Sequence, residues 1–443
     1  MVLQKIHKTI LGRPIGLLLL IGISVRVLLA FLYEGNLSIF NDSGGYMTLA
    51  NHILDGDLST YNFGRTPGYP LVIIFSFLNR AVLLFVQAAM GLAVSVMLFQ
   101  MCQRLYRRTL LSFFAALVPS VFLHLLFYER ALLTEHATVF FLTLSMWYLV
   151  RNGYFETKVS ILKCSVFGLL AMLVFMVRPM FLILPLFVAL FYVFQNYSEG
   201  VLHNAKRALF ICLPSCAAFW GWGSLNAHHT GYRSITSFSG INLAQNTVFF
   251  VHKADSGFAP LRDAYVRKRD SMVQAKGSPA MAVWRLFYEL QREEHLDIAT
   301  FSQRLQPMSK SVILANPSDY GKQVVRSWVP FWKTNIMWNL NTVSSPIKQK
   351  VLSRSWRYAH KYFVLLIKFS FLIVCAIAVA KRIKHRKLRP DFQLFVVLFV
   401  LGASLGQALV TYGNNARFSA PFFPLIAVVV FQFYSTFIRG RGL

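Results

Sequence analysis

Several stretches of this chain run about 17 to 22 residues with almost no charge, and this feature limits its folding more than any other. At 1.5 Å of rise per residue, about 20 apolar residues in a helix cross the roughly 30 Å hydrocarbon layer of a bilayer. A backbone in that layer has no water to bond, so it must satisfy its own N–H and C=O groups, which a helix does. Composition agrees. The 443 residues are 56% hydrophobic and 15% aromatic, with only 14% charged, against about 25% charged in ordinary soluble domains. A soluble core cannot bury that much apolar surface.

The apolar windows predict spans near residues 12–33, 82–102, 110–127, 134–150, 160–177, 180–195, 207–223, 359–380, 391–411 and 418–437. The expected fold is therefore an all-α polytopic membrane protein of about ten transmembrane helices. Residues 1–223 form an N-terminal membrane part of about seven spans and residues 359–443 a C-terminal part of about three. Between them, 224–358 is polar and patterned for helices, with the clearest periodicity at 260–320. The segment Tyr69–Phe77 is too short to span and reads as a re-entrant or interfacial helix. The first window has the basic start of a signal sequence, but it is too long, lacks a small-residue cleavage site and ends in FLYEGN. It reads as an uncleaved span.

Basic residues in short loops favour the cytoplasm. On one side stand Lys5, Lys8, Arg13, Arg104, Arg107, Arg108, Arg151, Lys158, Lys206, Arg207, the run KRIKHRKLR at 381–389, Arg439 and Arg441, which makes 18 Lys or Arg. The opposite short loops carry only Arg65, Arg80, Arg130, Arg178 and Arg417. The count places both termini inside, and the loop 34–68 and the 224–358 insertion outside. The expected location is a bacterial inner (cytoplasmic) membrane, with the working face toward the periplasm. Basic cytoplasmic loops account for much of the net charge of +28, with anionic membrane lipids as partners. No basic domain stands apart from the membrane, so nucleic acid is not an expected partner. The five cysteines all fall in or beside spans and suggest neither a disulfide framework nor a zinc site.

Ionisable residues recur at the outer ends of spans, where burial in hydrocarbon is expensive. Asp42 follows the first span in NDSGGY, and Arg65 precedes PGYP. Glu129 and Glu135 frame YERALLTEH, Arg178 ends a span in VRP, and Arg417 opens the last in NNARFSAPFFP. Each has an ordinary alternative. Asp42 could cap a helix, Arg65 could be held by the proline turn, Glu135 could pair with Arg130, and Arg178 and Arg417 could snorkel to headgroups. Taken together at one face, they suit an anionic, membrane-embedded ligand. Arginines hold phosphate oxygens by charge-assisted hydrogen bonds, and a carboxylate beside them can serve as a general base or a metal ligand. Tyr46, one turn beyond Asp42, would line the same pocket. A divalent metal stays open, since His228, His229 and His252 lie on that side without tight ligand spacing.

The order of these motifs resembles the GT-C fold polyprenyl-phosphate-dependent glycosyltransferases of the family 39 type, which include the protein O-mannosyltransferases and the lipid A aminoarabinose transferase. The residues that carry the resemblance are DSGGYMTLANHILDG, RTPGYPLVI, LLTEHATVFFL, MVRPMFLILP, GYRSITSFSGINLAQN, LANPSDYGKQVVRSWVPFW and ARFSAPFFPLIAVV, which run from residue 42 to about 430. The resemblance implies a hexosyl- or pentosyltransferase that uses a polyprenyl-phosphate-linked sugar and a lipid, glycan or protein acceptor. It implies Asp42 as the catalytic base, inversion at the anomeric carbon, and Arg65, Arg178 and Arg417 at the lipid phosphate. Glu135 and Asn242 would belong to the pocket. Ser43 stands where the mannosyltransferases carry a second acidic residue. A lipid-linked saccharide flippase or transporter, and a ligase that moves a whole glycan, are the alternative readings.

Overall fold

The structure is a computed structural model that describes residues 12–440 except 157, 337 and 385–389, with side chains described as far as Thr436. Lys5, Lys8, the 385–389 part of the basic run and Arg441 lie outside the described residues, as does the side chain of Arg439.

Every predicted span coincides with a helix. In chain order they are α1 (Pro14–Leu32), α4 (Arg80–Tyr106), the pair α5 (Thr109–Val121) and α6 (Leu123–Glu129), α7 (Thr134–Arg151), α8 (Ile161–Val177), α9 (Ile183–Gln195), α10 (Val201–Thr230), α17 (Lys361–Lys384), α18 (Phe392–Val410) and α19 (Phe423–Gly440). Before α4 come α2 (Asn41–Asp55) and α3 (Gly68–Phe75). The polar insertion contributes α11 (Ser239–Gln245), α12 (Ala259–Gln274), α13 (Ala282–Glu294), α14 (Ile298–Ala315) and α15 (Pro317–Trp332). It is followed by α16 (Pro346–Ser355), which runs through a π turn into α17. The described residues contain no strand, only one parallel bridge between Ser38 and Ala131.

Six of these helices are long and apolar enough to cross a membrane by themselves, and the α5–α6 pair makes a seventh. The pair bends by 51° just after Pro119, whose ring removes a backbone donor and crowds the preceding turn. The other three predicted spans fall short for identifiable reasons. The first turn of α7 is Thr-Glu-His, and α8 and the Pro179–Gln195 helix are 17 residues each, separated at Arg178. Residues before proline avoid the helical backbone, so Val-Arg-Pro ends α8 where the sequence places the break.

Burial sorts the helices by position. α19 is buried all round from Phe423 to Val430, as expected of a helix at the centre of a bundle, and it packs on α5, α17 and α18. α1 lies at the periphery, with Leu20, Val27 and Phe31 more than 60% exposed. Its inward stripe is Leu18, Gly22, Arg26 and Leu29, a helical spacing that includes a charge. The insertion has its own apolar core, built from residues such as Ile241, Phe250, Tyr265, Leu286, Phe301 and Leu305. It is tied to the end of α18 by Asn246 Nδ2 donating to Ala408 O and Tyr320 Oη to Leu409 O.

Candidate active site

Asp42 and Glu135 occupy equivalent local positions. Each is in the first turn of its helix, α2 and α7, where unpaired N–H groups and the helix dipole favour a negative charge. Asp42 is not the cap of α2. Ser43 closes that turn, its Oγ accepting from Phe40 N at 2.9 Å and donating to Leu132 O at 2.8 Å. The Asp42 carboxylate is thereby free to reach outward.

It meets two arginines brought from distant parts of the chain. Arg65 Nη2 donates to Asp42 Oδ1 at 2.8 Å, and Arg417 Nη1 to Oδ2 at 2.9 Å. Arg417 Nε donates in turn to Glu135 Oε1 at 2.6 Å. The same oxygen lies 3.4 Å from Arg178 Nη1, within ion-pair range but too poorly aligned for a hydrogen bond. The result is an alternating array: Arg65, Asp42, Arg417, Glu135, Arg178. Glu135 is fully buried and Arg178 nearly so, while the Asp42 side chain keeps 34% of its surface exposed. Glu135 thus pairs with Arg417 and Arg178, and Arg130 instead donates to Asn36 O at 3.4 Å.

Local sequence explains how each arginine is presented. Arg178 sits at the Val-Arg-Pro break with its guanidinium 5.0 Å from the Phe418 ring centre. Arg417 lies in the tight turn Asn415–Phe422 that leads into α19. Arg65 is clamped between aromatic faces, 4.8 Å from the Tyr46 ring and 4.9 Å from Phe238. This is cation–π geometry. Its loop depends on Phe63, which adopts φ 52°, a backbone region that residues with a side chain rarely occupy. Ser237 holds that conformation, N donating to Phe63 O at 2.9 Å and Oγ to Asn62 O at 2.5 Å. The insertion therefore presses on the first loop at the point where Arg65 faces Asp42.

Burial alone would push the Asp42 carboxyl up, but the Arg65 and Arg417 guanidiniums beside it hold it at about 2. Asp42 is ionised at any ordinary pH in this resting arrangement. Among the described residues, three buried polar atoms of the array's own side chains have no hydrogen-bond partner: Arg65 Nε, Arg178 Nη1 and Glu135 Oε2. Buried polar groups are normally satisfied, so these donors and this acceptor are suited to a polar ligand.

Of the residues expected at the site, Asp42, Arg65, Arg178, Arg417, Glu135 and Tyr46 meet in this one array. Asn242 stands one step away, on the short helix α11 that begins just after Phe238, with its N–H donating to Phe238 O at 2.8 Å. Of the three histidines, His228 and His229 meet edge-on with ring centres 5.0 Å apart, and His252 does not join them. His229 stacks on Phe63, His252 lies beside Arg269, and the described residues contain no group of three or more His, Cys, Asp or Glu arranged to hold a metal. Glu129 is not in the array; it pairs with Arg26 at 2.6 Å. Sequence reasoning passed over Arg26, Phe238, Tyr69 and Gln87. Only Arg26 carried a signal, a charge inside an apolar window.

No family model matches the chain, and no curated protein matches it. Among solved structures, it is similar to the Archaeoglobus fulgidus oligosaccharyltransferase in its apo form, with TM-score 0.47 and 13% identity over 93% of this chain and 49% of that one. It is also similar to the archaeal oligosaccharyltransferase AglB of Archaeoglobus fulgidus in complex with an inhibitory peptide and a dolichol-phosphate, with TM-score 0.46 and 12% identity over 92% and 50%. A third similarity is to ArnT from Cupriavidus metallidurans bound to undecaprenyl phosphate, with TM-score 0.40 and 12% identity over 95% of this chain and 78% of that one. The chain spans about half the length of the first two structures.

Proposed function

We propose that this protein is a membrane glycosyltransferase that moves a sugar from a polyprenyl-phosphate donor to an acceptor at the periplasmic face of the cytoplasmic membrane, with inversion at the anomeric carbon. The observation that carries this reading is the array itself. Five separate motifs converge so that three guanidiniums and two carboxylates leave one positive charge, reinforced by two helix N-termini. A sugar–phosphate–lipid diester carries one negative charge and suits such a site.

In the proposed reaction, the acceptor hydroxyl attacks the anomeric carbon as its proton passes to Asp42. The carbon–oxygen bond to phosphate breaks, and its electron pair leaves with the polyprenyl phosphate. The leaving group gains negative charge, which Arg65, Arg178 and Arg417 would stabilise by preorganised donors. Asp42 is a weak base while both arginines hold it, and general bases work best with a pKa near the operating pH. A phosphate that takes up those guanidinium N–H groups would relax their hold and raise the basicity of Asp42 when the donor is in place. Glu135 would keep Arg417 and Arg178 aligned.

Mass spectrometry of glycolipids, surface polysaccharide and envelope proteins from cells with and without the gene tests the reading. A sugar residue should be missing without the gene, be restored by the wild-type protein, and stay missing with Asp42→Asn expressed at normal levels. Full restoration by that variant would remove Asp42 as base. An unchanged envelope under confirmed expression would remove the transferase reading.

A further inference from the structure

Arg26 and Glu129 form a second ion pair, separate from the array and 7% and 5% exposed. Arg26 lies six residues before the end of α1, about 9 Å along the helix axis. Its Nε and Nη2 donate to Glu129 Oε1 and Oε2 at 2.8 and 2.6 Å, and its Nη1 to Gly22 O at 3.1 Å and Ser120 Oγ at 3.4 Å. Gly91 on α4 makes room for the pair, since a Cβ there would stand 2.3 Å from both Arg26 Nη2 and Glu129 Oε2. Desolvating two charges often costs as much as their attraction returns, so apolar residues of similar size can be equally stable. Stability is therefore a poor account of what the pair does.

The chain after Glu129 offers a better one. Glu129 O accepts from Gln87 Nε2 at 2.7 Å, and Gln87 Oε1 accepts from Tyr69 Oη at 3.0 Å. The Tyr69 ring meets Tyr46 edge-on at 5.3 Å, and Tyr46 is the face on which Arg65 rests. A second route runs through the backbone. Ser38 N donates to Arg130 O at 2.8 Å, Leu132 N to Ser38 O at 2.9 Å, and Leu132 O accepts from Ser43 beside Asp42. Glu135 follows three residues later. Both carboxylates of the array thus hang on residues 130–135, and the start of that segment is pinned by Glu129.

We propose that Arg26 and Glu129 are positioning residues, a buried latch that holds residues 129–133 in register so that Asp42 and Glu135 face the same arginines. The inference rests on the proposed transferase reading for its effect on turnover, but the latch is testable without it. The variants are Arg26→Met, Glu129→Leu and the double variant, purified in lipid nanodiscs. Each single variant leaves one buried charge alone and should lower the melting temperature, and the double variant should recover much of that loss. Amide hydrogen exchange at residues 38–47 should nevertheless remain about tenfold or more faster in the double variant, while residues 94–102 of α4 exchange as in wild type. In cells, the double variant should restore the missing envelope sugar at a rate about tenfold or more below wild type at matched protein level.

Wild-type exchange at 38–47 in the double variant would overturn the latch whatever the activity. Recovery of sugar transfer together with melting temperature would show a merely structural pair and overturn it as well. A wild-type protein that restores no sugar would instead count against the transferase reading, and the exchange experiment would still decide the latch. Should the apolar double variant fail to fold, Arg26→Gln with Glu129→Gln removes both charges and, because Gln is shorter than Arg, the two-point contact, while leaving polar groups in the pocket, and is read by the same exchange.

Discussion

Arg417 is the one residue of the array that touches both carboxylates, and its replacement separates charge from shape. Arg417→Lys keeps the charge, but an ammonium is a point charge that cannot reproduce a planar fork reaching two partners. Transfer should fall about 10- to 100-fold with modest effect on folding. Arg417→Ala leaves Glu135, which has no exposed surface, without its hydrogen-bonded cation. Removing one partner of a buried pair costs about 3–5 kcal/mol, so this variant should also melt earlier in detergent. Equal melting of the two variants would contradict this account. The carboxyl of Asp42 sets a pH expectation. Its folded pKa, about 2, lies below the roughly 3.9 of an unfolded Asp, so the stability from its ion pairs is present above about pH 4 and lost as pH falls toward 2. The kcat/KM profile, which reports the free enzyme, should show no inflection from Asp42 above about pH 4. An inflection between pH 5 and 7 that disappears in Asp42→Asn would mean that the arginines do not hold the carboxylate in solution. At this scale the sequence was readable where a charge stood at the end of an apolar window, as for Asp42, Glu135, Arg178 and Arg417. It was unreadable for Phe238 and Gln87, ordinary residue types whose role comes from contacts across 42 to 173 positions of chain.

Short elements, more than the spans, carry the site. α3 is only eight residues, yet its first residue packs against the last turn of α8. A Cβ on Gly68 would stand 2.4 Å from Met176 C and 2.5 Å from Val177 N, both backbone atoms that cannot step aside. Gly68→Ala should therefore force α3 away from α8 beside Arg178. The expected cost is about 1–3 kcal/mol, seen as a lower melting temperature with reduced transfer, whereas Gly44→Ala, which meets nothing within 4 Å, should melt like wild type. A second join is made by Lys368 on α17, which is fully buried. Its Nζ donates to Phe331 O, Lys333 O and Ser419 Oγ at 3.3, 2.7 and 2.6 Å, linking the end of α15 to the turn that carries Arg417. Lys368→Met leaves those three acceptors without their donor at about 1–3 kcal/mol for each that water cannot reach. It should loosen that turn, which faster amide exchange at residues 415–420 would register. The apolar windows and the Val-Arg-Pro break made the long helices readable from sequence. The tie between Ser237 and the Phe63 loop was not, because nothing in either segment names its partner.

For the whole molecule, the array's location near one end of the bundle turns function into a question of which compartment that end faces. The helices settle relative direction: α4 and α7 run side by side, His136 beside Gln87 at one end and Trp147 bonded to Gln100 at the other. Asp42 and Glu135 therefore lie near the first end, and Arg104, Arg107, Arg108 and Arg151 at the opposite one. Positively charged short loops stay in the cytoplasm, so the array should open to the periplasm. Single cysteines decide this in a background without Cys216, the one exposed cysteine among the described residues. Cysteines at the exposed positions Asp57 and Asp270 should react with a membrane-impermeant maleimide in spheroplasts, and one at exposed Arg107 only after the membrane is opened. The reverse pattern would put the array in the cytoplasm and remove the extracytoplasmic acceptor from the proposed reaction, although the charges would still suit a lipid phosphate. The labelling therefore tests the compartment apart from the chemistry, as Asp42→Asn tests the chemistry apart from the compartment.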